Sequence, residues 1–193
     1  MLGCLLIWND CVDGKGDIFE AWYREEHFPE RMSVPGFLCG IRHQAIDGGY
    51  PRFFTYYVVK NTEVLSSEGY RKLLEKPTPR TTYIMADVFK NMSRTICELE
   101  ILQTGPRSVY AVTATGDEKW LAHFLVPESA PFTMALRGLP PREPTVEEQL
   151  RGGDDHVQAA VVLHFRSANE AKSYAAEING RAWEIIEYAE PNL

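Results

Sequence analysis

The segment from residue 21 to 32, AWYREEHFPERM, combines groups that can transfer protons with groups that can form an apolar wall. The aromatic pair Trp22 and Tyr23 is followed closely by Glu26 and His27. An imidazole changes its charge near neutral pH, and burial raises the pKa of a carboxyl group towards the same range. Both groups are therefore suited to general acid–base catalysis. His27 and Glu26 are the candidate catalytic residues.

A helix is expected to carry this segment. Asp17 and Glu20 have the spacing of a capping box, which predicts that the helix begins at Ile18. Pro29 predicts its end, because the residue before a proline avoids helical backbone angles. The chemistry would then lie in the last turn of the helix.

The angular positions on this helix leave two interpretations open. At about 100° per residue, Glu26 falls near the centre of the apolar stripe and His27 at its edge. A carboxylate there needs a partner or an opening, and neighbouring helical residues cannot readily bond each other, so Glu26 would act separately from His27. Alternatively, Glu26 pairs with Arg31 or Arg42, and His27 interacts with the carbonyl groups at the helix end.

Apolar patterning predicts an α+β fold built from two similar halves. The first half has the order strand, helix, strand, strand, helix, strand, and the second half repeats it more weakly. This order favours tandem ferredoxin-like (βαββαβ) repeats at 1–104 and 105–193 that pair as a pseudo-dimer. The predicted strands are 2–9, 37–46, 52–60, 94–103, 108–114, 132–138, 156–165 and 182–189, and the helices after the first are 66–77, 117–126 and 167–179.

The second half contains a long insertion, GLPPREPTVEEQLRGGDD, at residues 138–155. It is rich in proline and in charged residues. Loops of this length are often lids over a site or simply mobile. Both interpretations are open.

The first hundred residues also resemble a known group of proteins. The pattern W-Y-x-x-E-H-x-P-E-R from Trp22 to Arg31, followed by VPGF at 34–37, resembles small bacterial proteins of the dimeric α/β-barrel superfamily. It is similar to the EthD-like proteins, named for ethyl tert-butyl ether degradation, and residues 63–79 continue the likeness. The resemblance implies ferredoxin-like sheets that pair into a barrel with an apolar pocket. It also implies a possible homodimer.

Four further residues are candidates for binding a substrate in that pocket. Trp8 and Trp22 would form aromatic wall. On the second strand His43 and Arg42 face opposite sides, and we favour His43 for the pocket. Tyr56 and Tyr57 pose the same choice, which we resolve in favour of Tyr56.

Composition narrows the functional classes. The formal net charge is −7 and the basic residues are scattered, which argues against nucleic acid and anionic membranes as partners. The four cysteines fit neither a disulfide framework nor a zinc site, and no metal-ligand spacing or nucleotide-binding motif occurs. No segment has the length of a signal peptide or a membrane span, so we expect a cytoplasmic protein. Because metal-ligand spacings and nucleotide-binding motifs are lacking, we also expect that it uses no cofactor.

Three functions remain as hypotheses. The first is a cofactor-independent isomerase, cyclase or lyase that uses acid–base chemistry on a hydrophobic, oxygenated small molecule. The second is a ligand-binding or pathway accessory protein without chemistry of its own. The third, suggested by the superfamily, is a haem-binding enzyme with His164 or His156 as the iron ligand.

Overall fold

Eight strands close into an antiparallel barrel in the computed structural model, which describes residues 1–190. Around the barrel the order is β1-β3-β2-β8-β5-β7-β6-β4. In each half of the chain the fourth strand thus lies beside the first, followed by the third and the second. The predicted α+β class and the barrel are confirmed. The strands are β1 Leu2–Cys11, β2 Phe37–Ala45, β3 Phe53–Val59, β4 Phe89–Gln103, β5 Tyr110–Gly116, β6 Phe132–Gly138, β7 Ala159–Phe165 and β8 Arg181–Ala189.

Helices cover the outside of the barrel. None of those in residues 1–190 combines the length and the apolar character that crossing a membrane requires. A π turn at Tyr23–His27 joins the first two, and a 3-10 turn at Thr62–Ser66 precedes the third. The helices are α1 Gly16–Trp22, α2 Phe28–Met32, α3 Glu68–Glu75, α4 Pro79–Asp87, α5 Glu118–Ala122, α6 Val146–Arg151 and α7 Ala168–Glu177.

The first helical segment differs from the prediction at both ends. It begins at Gly16, and none of the described side chains caps its N-terminus, so Asp17 and Glu20 form no capping box. Glu20 instead pairs with Arg42 at 2.8 Å. The helix also continues through Pro29 to the end of α2. Pro29 is the second residue of α2, just after the π turn, and a wider backbone there leaves room for its ring.

The region after β3 contains a helix that the sequence analysis missed. The prediction of one helix at 66–77 corresponds to α3, but α4 follows it at once. Thr78 caps α4 by accepting a hydrogen bond from the Thr81 N–H, and Pro79 lies in its first turn. A threonine followed by proline is a helix-start signal that the prediction overlooked.

Apolar side chains fill the barrel and also cover its outer surface. On β1, Leu6 and Trp8 point into the barrel, whereas Leu5 and Ile7 point out towards the helices. The helices of the first half cover that outer face, and α7 covers part of the outer face of the second half. A residue on a helix therefore reaches the outside of the sheet and not the interior of the barrel.

The insertion at 138–155 crosses from the second half onto the first. It contains α6, which packs against α3, α4 and β4. A capping box between Thr145 and Glu148 begins the helix. Gly152 and Gly153, with φ of 86° and 104°, end it and let the chain turn back.

Candidate functional site

His27 lines a cavity outside the barrel, between the first-half sheet and the helices that cover it. We call it the inner cavity. Tyr57 contributes to it from β3, Arg94 from β4, and Glu147 and Arg151 from α6. Its volume is about 20 Å³, enough for about one water molecule. The insertion from the second half thus closes a cavity of the first half.

The π turn determines which side chains face this cavity. The Phe28 N–H bonds to the Tyr23 carbonyl, so the turn holds one residue more than an α-helical turn. Tyr23 and His27 both become buried as a result, and the His27 ring lies 4.4 Å from the Trp22 ring and 5.0 Å from the Tyr23 ring. Insertions of this kind often occur at functional sites.

The imidazole of His27 is held in its neutral form. Only 5% of the residue is exposed. Burial, reinforced by the charges of Arg31, Arg151 and Arg42, holds its pKa well below the usual range. Its Nδ1 atom has no hydrogen-bond partner among residues 1–190. A buried polar atom without a partner is uncommon in folded proteins and is a feature of many functional sites.

Glu26 points away from the inner cavity and joins its helix to α4. Its Oε1 atom accepts hydrogen bonds from the hydroxyl groups of Thr78 and Thr81, the latter at 2.8 Å. The Trp22 Nε1–H donates to the same Thr81 oxygen at 3.0 Å. Arg31 and Arg42, the partners considered for Glu26 from the sequence, bind other carboxylates. In this arrangement Glu26 positions the helix that carries His27.

Buried ion pairs form the polar part of the inner cavity. Arg31 Nη2 lies 2.6 Å from Glu147 Oε1, and both residues are nearly inaccessible, at 2% and 3%. Arg31 also contacts Glu30 at 3.2 Å. Arg151 binds Asp154 at 2.7 Å and approaches Glu147 at 4.0 Å. These pairs connect α2 to α6 and hold the insertion over His27.

A larger cleft adjoins the inner cavity. Its volume is about 370 Å³, and the insertion forms one of its walls from Leu139 to Gln149. Leu74, Arg94 and Thr145 line both spaces, so the two meet at these residues. We call this space the outer cleft. Small-molecule sites commonly measure about 300–1,000 Å³.

The structure separates the sequence-predicted residues onto two sides of the sheet. Trp22 and His27 lie together on the outside. Trp8, His43 and Tyr56 lie inside the packed barrel, where Trp8 stacks on Phe54 at 5.1 Å and His43 on Tyr56 at 5.7 Å. The alternation of side chains along β3 instead directs Tyr57 to the outside, beside His27.

Several residues that line the cavities were not identified from the sequence. Tyr57 was considered and set aside, although its hydroxyl is buried, lines the inner cavity and has no partner within residues 1–190. Nothing in the sequence around Arg94 indicates a functional role, apart from its position in a predicted strand. Glu147 and Arg151 belong to the insertion, and nothing in the sequence indicates that it packs on the first half.

The comparisons with known proteins support the fold. No model of a known protein family and no curated protein matches this sequence. An anthrone oxidase-like protein matches with a TM-score of 0.64 and 11% identity, over 100% of this chain and 94% of its own. The chain has the dimeric α/β-barrel fold. Here all eight strands of the barrel belong to one chain.

Two other solved structures have the same fold. A provisionally named monooxygenase from Fusobacterium nucleatum subsp. nucleatum matches with a TM-score of 0.54 and 6% identity, over 98% of this chain and 94% of its own. A provisionally named chlorite dismutase matches with a TM-score of 0.54 and 8% identity, over 96% and 95%. At such low identity these likenesses establish the dimeric α/β-barrel fold alone.

Proposed function

We propose that this protein is an enzyme that removes a proton from a hydrophobic, oxygenated small molecule without the help of a cofactor. The observation that carries the proposal is the state of His27, which is buried, neutral and unpartnered at Nδ1, in a small cavity that adjoins a cleft of ligand size. A neutral imidazole has the free nitrogen lone pair that a general base requires.

The chemistry follows from the groups around His27. Nδ1 takes a proton from a C–H or O–H bond of the substrate, and the electron pair stays on the substrate as an enolate or phenolate. The Tyr57 hydroxyl, which has no partner in the described chain, can donate a hydrogen bond to that oxygen. Return of the proton from His27 to a different atom completes an isomerisation, and loss of a leaving group completes an elimination.

The names of two proteins with a similar fold suggest a further type of reaction to test. One neighbour is named as anthrone oxidase-like and another, provisionally, as a monooxygenase. An enolate or phenolate formed at His27 could instead react with dioxygen, which would supply the oxidant. Isomerase, cyclase and lyase chemistry remains the leading proposal, and oxygen uptake distinguishes the two cases.

We also interpret the two halves as tandem ferredoxin-like repeats. Support comes from their identical strand order, β4-β1-β3-β2 and β8-β5-β7-β6. The repeat boundaries at 1–104 and 105–193 stay predictions, and residues 191–193 lie outside the described part of the chain. Further pairing into a homodimer also stays a prediction.

Substitution of His27 tests the enzymatic proposal. The panel consists of hydrophobic phenols and lactones, with turnover followed by chromatography and affinity by calorimetry. We expect His27→Gln, which keeps most of the volume, to lower kcat/KM by at least about 100-fold and to change Kd by less than about threefold. His123→Ala, on the exposed α5 end of the second half, is the control and should behave as the wild type.

Two outcomes contradict this proposal in different ways. Equal turnover by His27→Gln and the wild type would exclude His27 as the base. Tight binding without turnover of any bound compound by the wild type would favour the accessory binding protein.

Haem chemistry fits the described residues poorly. His164 is fully buried in the packed barrel, with its Nδ1 atom 2.8 Å from the Ser108 carbonyl oxygen and its Nε2 atom 3.4 Å from the Tyr56 hydroxyl. His156 is exposed at the wall of the outer cleft. His164 is fully packed, and the inner cavity, at about 20 Å³, is far too small for a porphyrin.

A further inference from the structure

Arg94 stands at the junction of the two spaces. It lies on the outer face of β4 and lines both the outer cleft and the inner cavity. A ligand that occupies the outer cleft and extends towards His27 therefore lies beside Arg94, Leu74 and Thr145.

Arg94 differs from the other arginines of the inner cavity in its partners. Arg31 and Arg151 each bind a carboxylate within 3 Å. No carboxylate in residues 1–190 lies within 4 Å of Arg94, and its side chain makes one hydrogen bond, from Nη2 to the Tyr70 hydroxyl at 3.2 Å. The remaining guanidinium N–H groups are free to bind a ligand.

The carboxylates whose charges act on Arg94 are already engaged. Asp154 binds Arg151 at 2.7 Å. Glu148 accepts a hydrogen bond from the Thr145 N–H in the capping box of α6. Within residues 1–190 Arg94 thus has no carboxylate as an ion-pair partner, which favours an anionic group supplied by a ligand.

Tyr70 gives the guanidinium a defined position. It is 1% exposed, and Arg31 lies over its ring at 5.7 Å. Because the ring is packed in this way, the hydrogen bond to its hydroxyl orients Arg94. A fixed, planar guanidinium with free N–H groups matches the geometry of a carboxylate.

The walls of the outer cleft define the rest of the ligand. Their apolar part consists of Leu65, Leu74, Ile96, Pro140 and Pro141, and charged side chains such as Arg142 and Glu143 line the rest. These surfaces favour an apolar body, such as fused aromatic rings, and Arg94 favours one acidic group at its inner end.

We infer that Arg94 anchors the carboxylate of a hydrophobic aromatic acid whose ring system fills the outer cleft. The inference rests on the proposed function in one respect, since the anchored substrate presents its reactive carbon or oxygen to His27. Arg94 acts here as a specificity-determining residue.

Two probes of the same shape and different charge test this inference. Calorimetry at pH 7.5 measures the binding of 2-naphthoate and of its neutral amide, 2-naphthamide. We expect the wild type to bind 2-naphthoate at least tenfold more tightly than 2-naphthamide. Arg94→Gln should lose at least tenfold in affinity for the acid with little change for the amide. Arg94→Lys should retain part of the preference, because it keeps the charge without the planar fork.

A matched control and an independent variant make the result specific. Arg142→Gln removes an exposed arginine of the same cleft and should leave the preference unchanged. His27→Gln should also keep it, since this binding does not depend on proton transfer, so failure of the catalytic proposal is recognised separately. The inference is overturned if neither probe binds the wild type, if the wild type does not prefer the acid, or if Arg94→Gln weakens both probes equally.

Discussion

At the scale of single residues, His27 illustrates how a local backbone change alters chemistry. The sequence segment was identified correctly as a place where aromatic and ionisable groups meet. A regular helix, however, would have turned Glu26 into the apolar stripe. The π turn buries His27 instead and leaves Glu26 bound to Thr78 and Thr81. A π turn holds one residue more than an α-helical turn. Whether it forms depends on tertiary packing, and no simple sequence pattern predicts it.

The lowered pKa of His27 predicts the pH dependence of activity. An ordinary histidine has a pKa of about 6.5 and loses its basic form as the pH falls below that value. Because the pKa of His27 lies well below this range, the base stays neutral and active in weak acid. We expect kcat/KM at pH 6 to stay close to its value at pH 7.5. A pH–rate profile that reaches half its maximum near pH 6.5 would contradict the assignment.

At the scale of elements, α6 is a helix that the sequence analysis failed to predict. Its proline-rich approach, its charges and its glycines all indicated a loop, and the capping box of Thr145 and Glu148 went unnoticed. The helix is held by Arg31 on α2, at a sequence separation of 116 residues from Glu147. No local pattern predicts such a distant partner. The inner cavity holds only about 20 Å³, so a substrate can reach His27 only if the packing around this cavity opens.

Breaking the Arg31–Glu147 pair should loosen this cover. Glu147→Gln leaves a buried guanidinium with Glu30 as its remaining carboxylate, and removal of one partner from a buried pair costs up to about 3–5 kcal/mol. We expect the amide hydrogens of Val146–Arg151 to exchange at least tenfold faster in this variant. The control is Glu143→Gln, an exposed change in the same insertion. Unchanged exchange in α6 would show that other contacts hold the helix closed.

At the scale of the whole molecule, the strand arrangement was largely predictable and the location of the cavities was not. The strand at 132–138 matches β6, and Ser167 caps α7 with Glu170 as its capping-box partner. These features depend on local alternation and capping. The side of the sheet that holds a cavity depends on how the barrel closes, which the sequence does not show. For this reason the sequence analysis selected Tyr56, which points into the packed barrel, instead of Tyr57, which lines the inner cavity.

The packed barrel should make the protein sensitive to acid. Burial lowers the pKa of His43 to about 3 and that of His164 to about 4, against about 6.5 in an unfolded chain. The unfolded state therefore binds more protons below pH 6.5, and the free energy of unfolding falls as the pH falls. Each of the two should contribute a loss of about 2 kcal/mol between pH 7 and pH 5.

Urea denaturation at several pH values measures this loss. His164→Asn should reduce the slope of stability against pH by about one proton between pH 6 and pH 5. His123→Ala, at an exposed position, should leave the slope unchanged. A wild-type stability that stays constant from pH 7 to pH 5 would show that these histidines are not kept neutral.

The placement of α6 is an asymmetric feature that an assembly of identical subunits could not have. In such an assembly each copy contains the same insertions and the same cavities. Here a segment of one half covers a cavity of the other, with no counterpart required on the opposite side. Changes in the second half can therefore alter access to His27 without touching the strands and helices that build the cavity. The outer surface of the second half is left free to diverge.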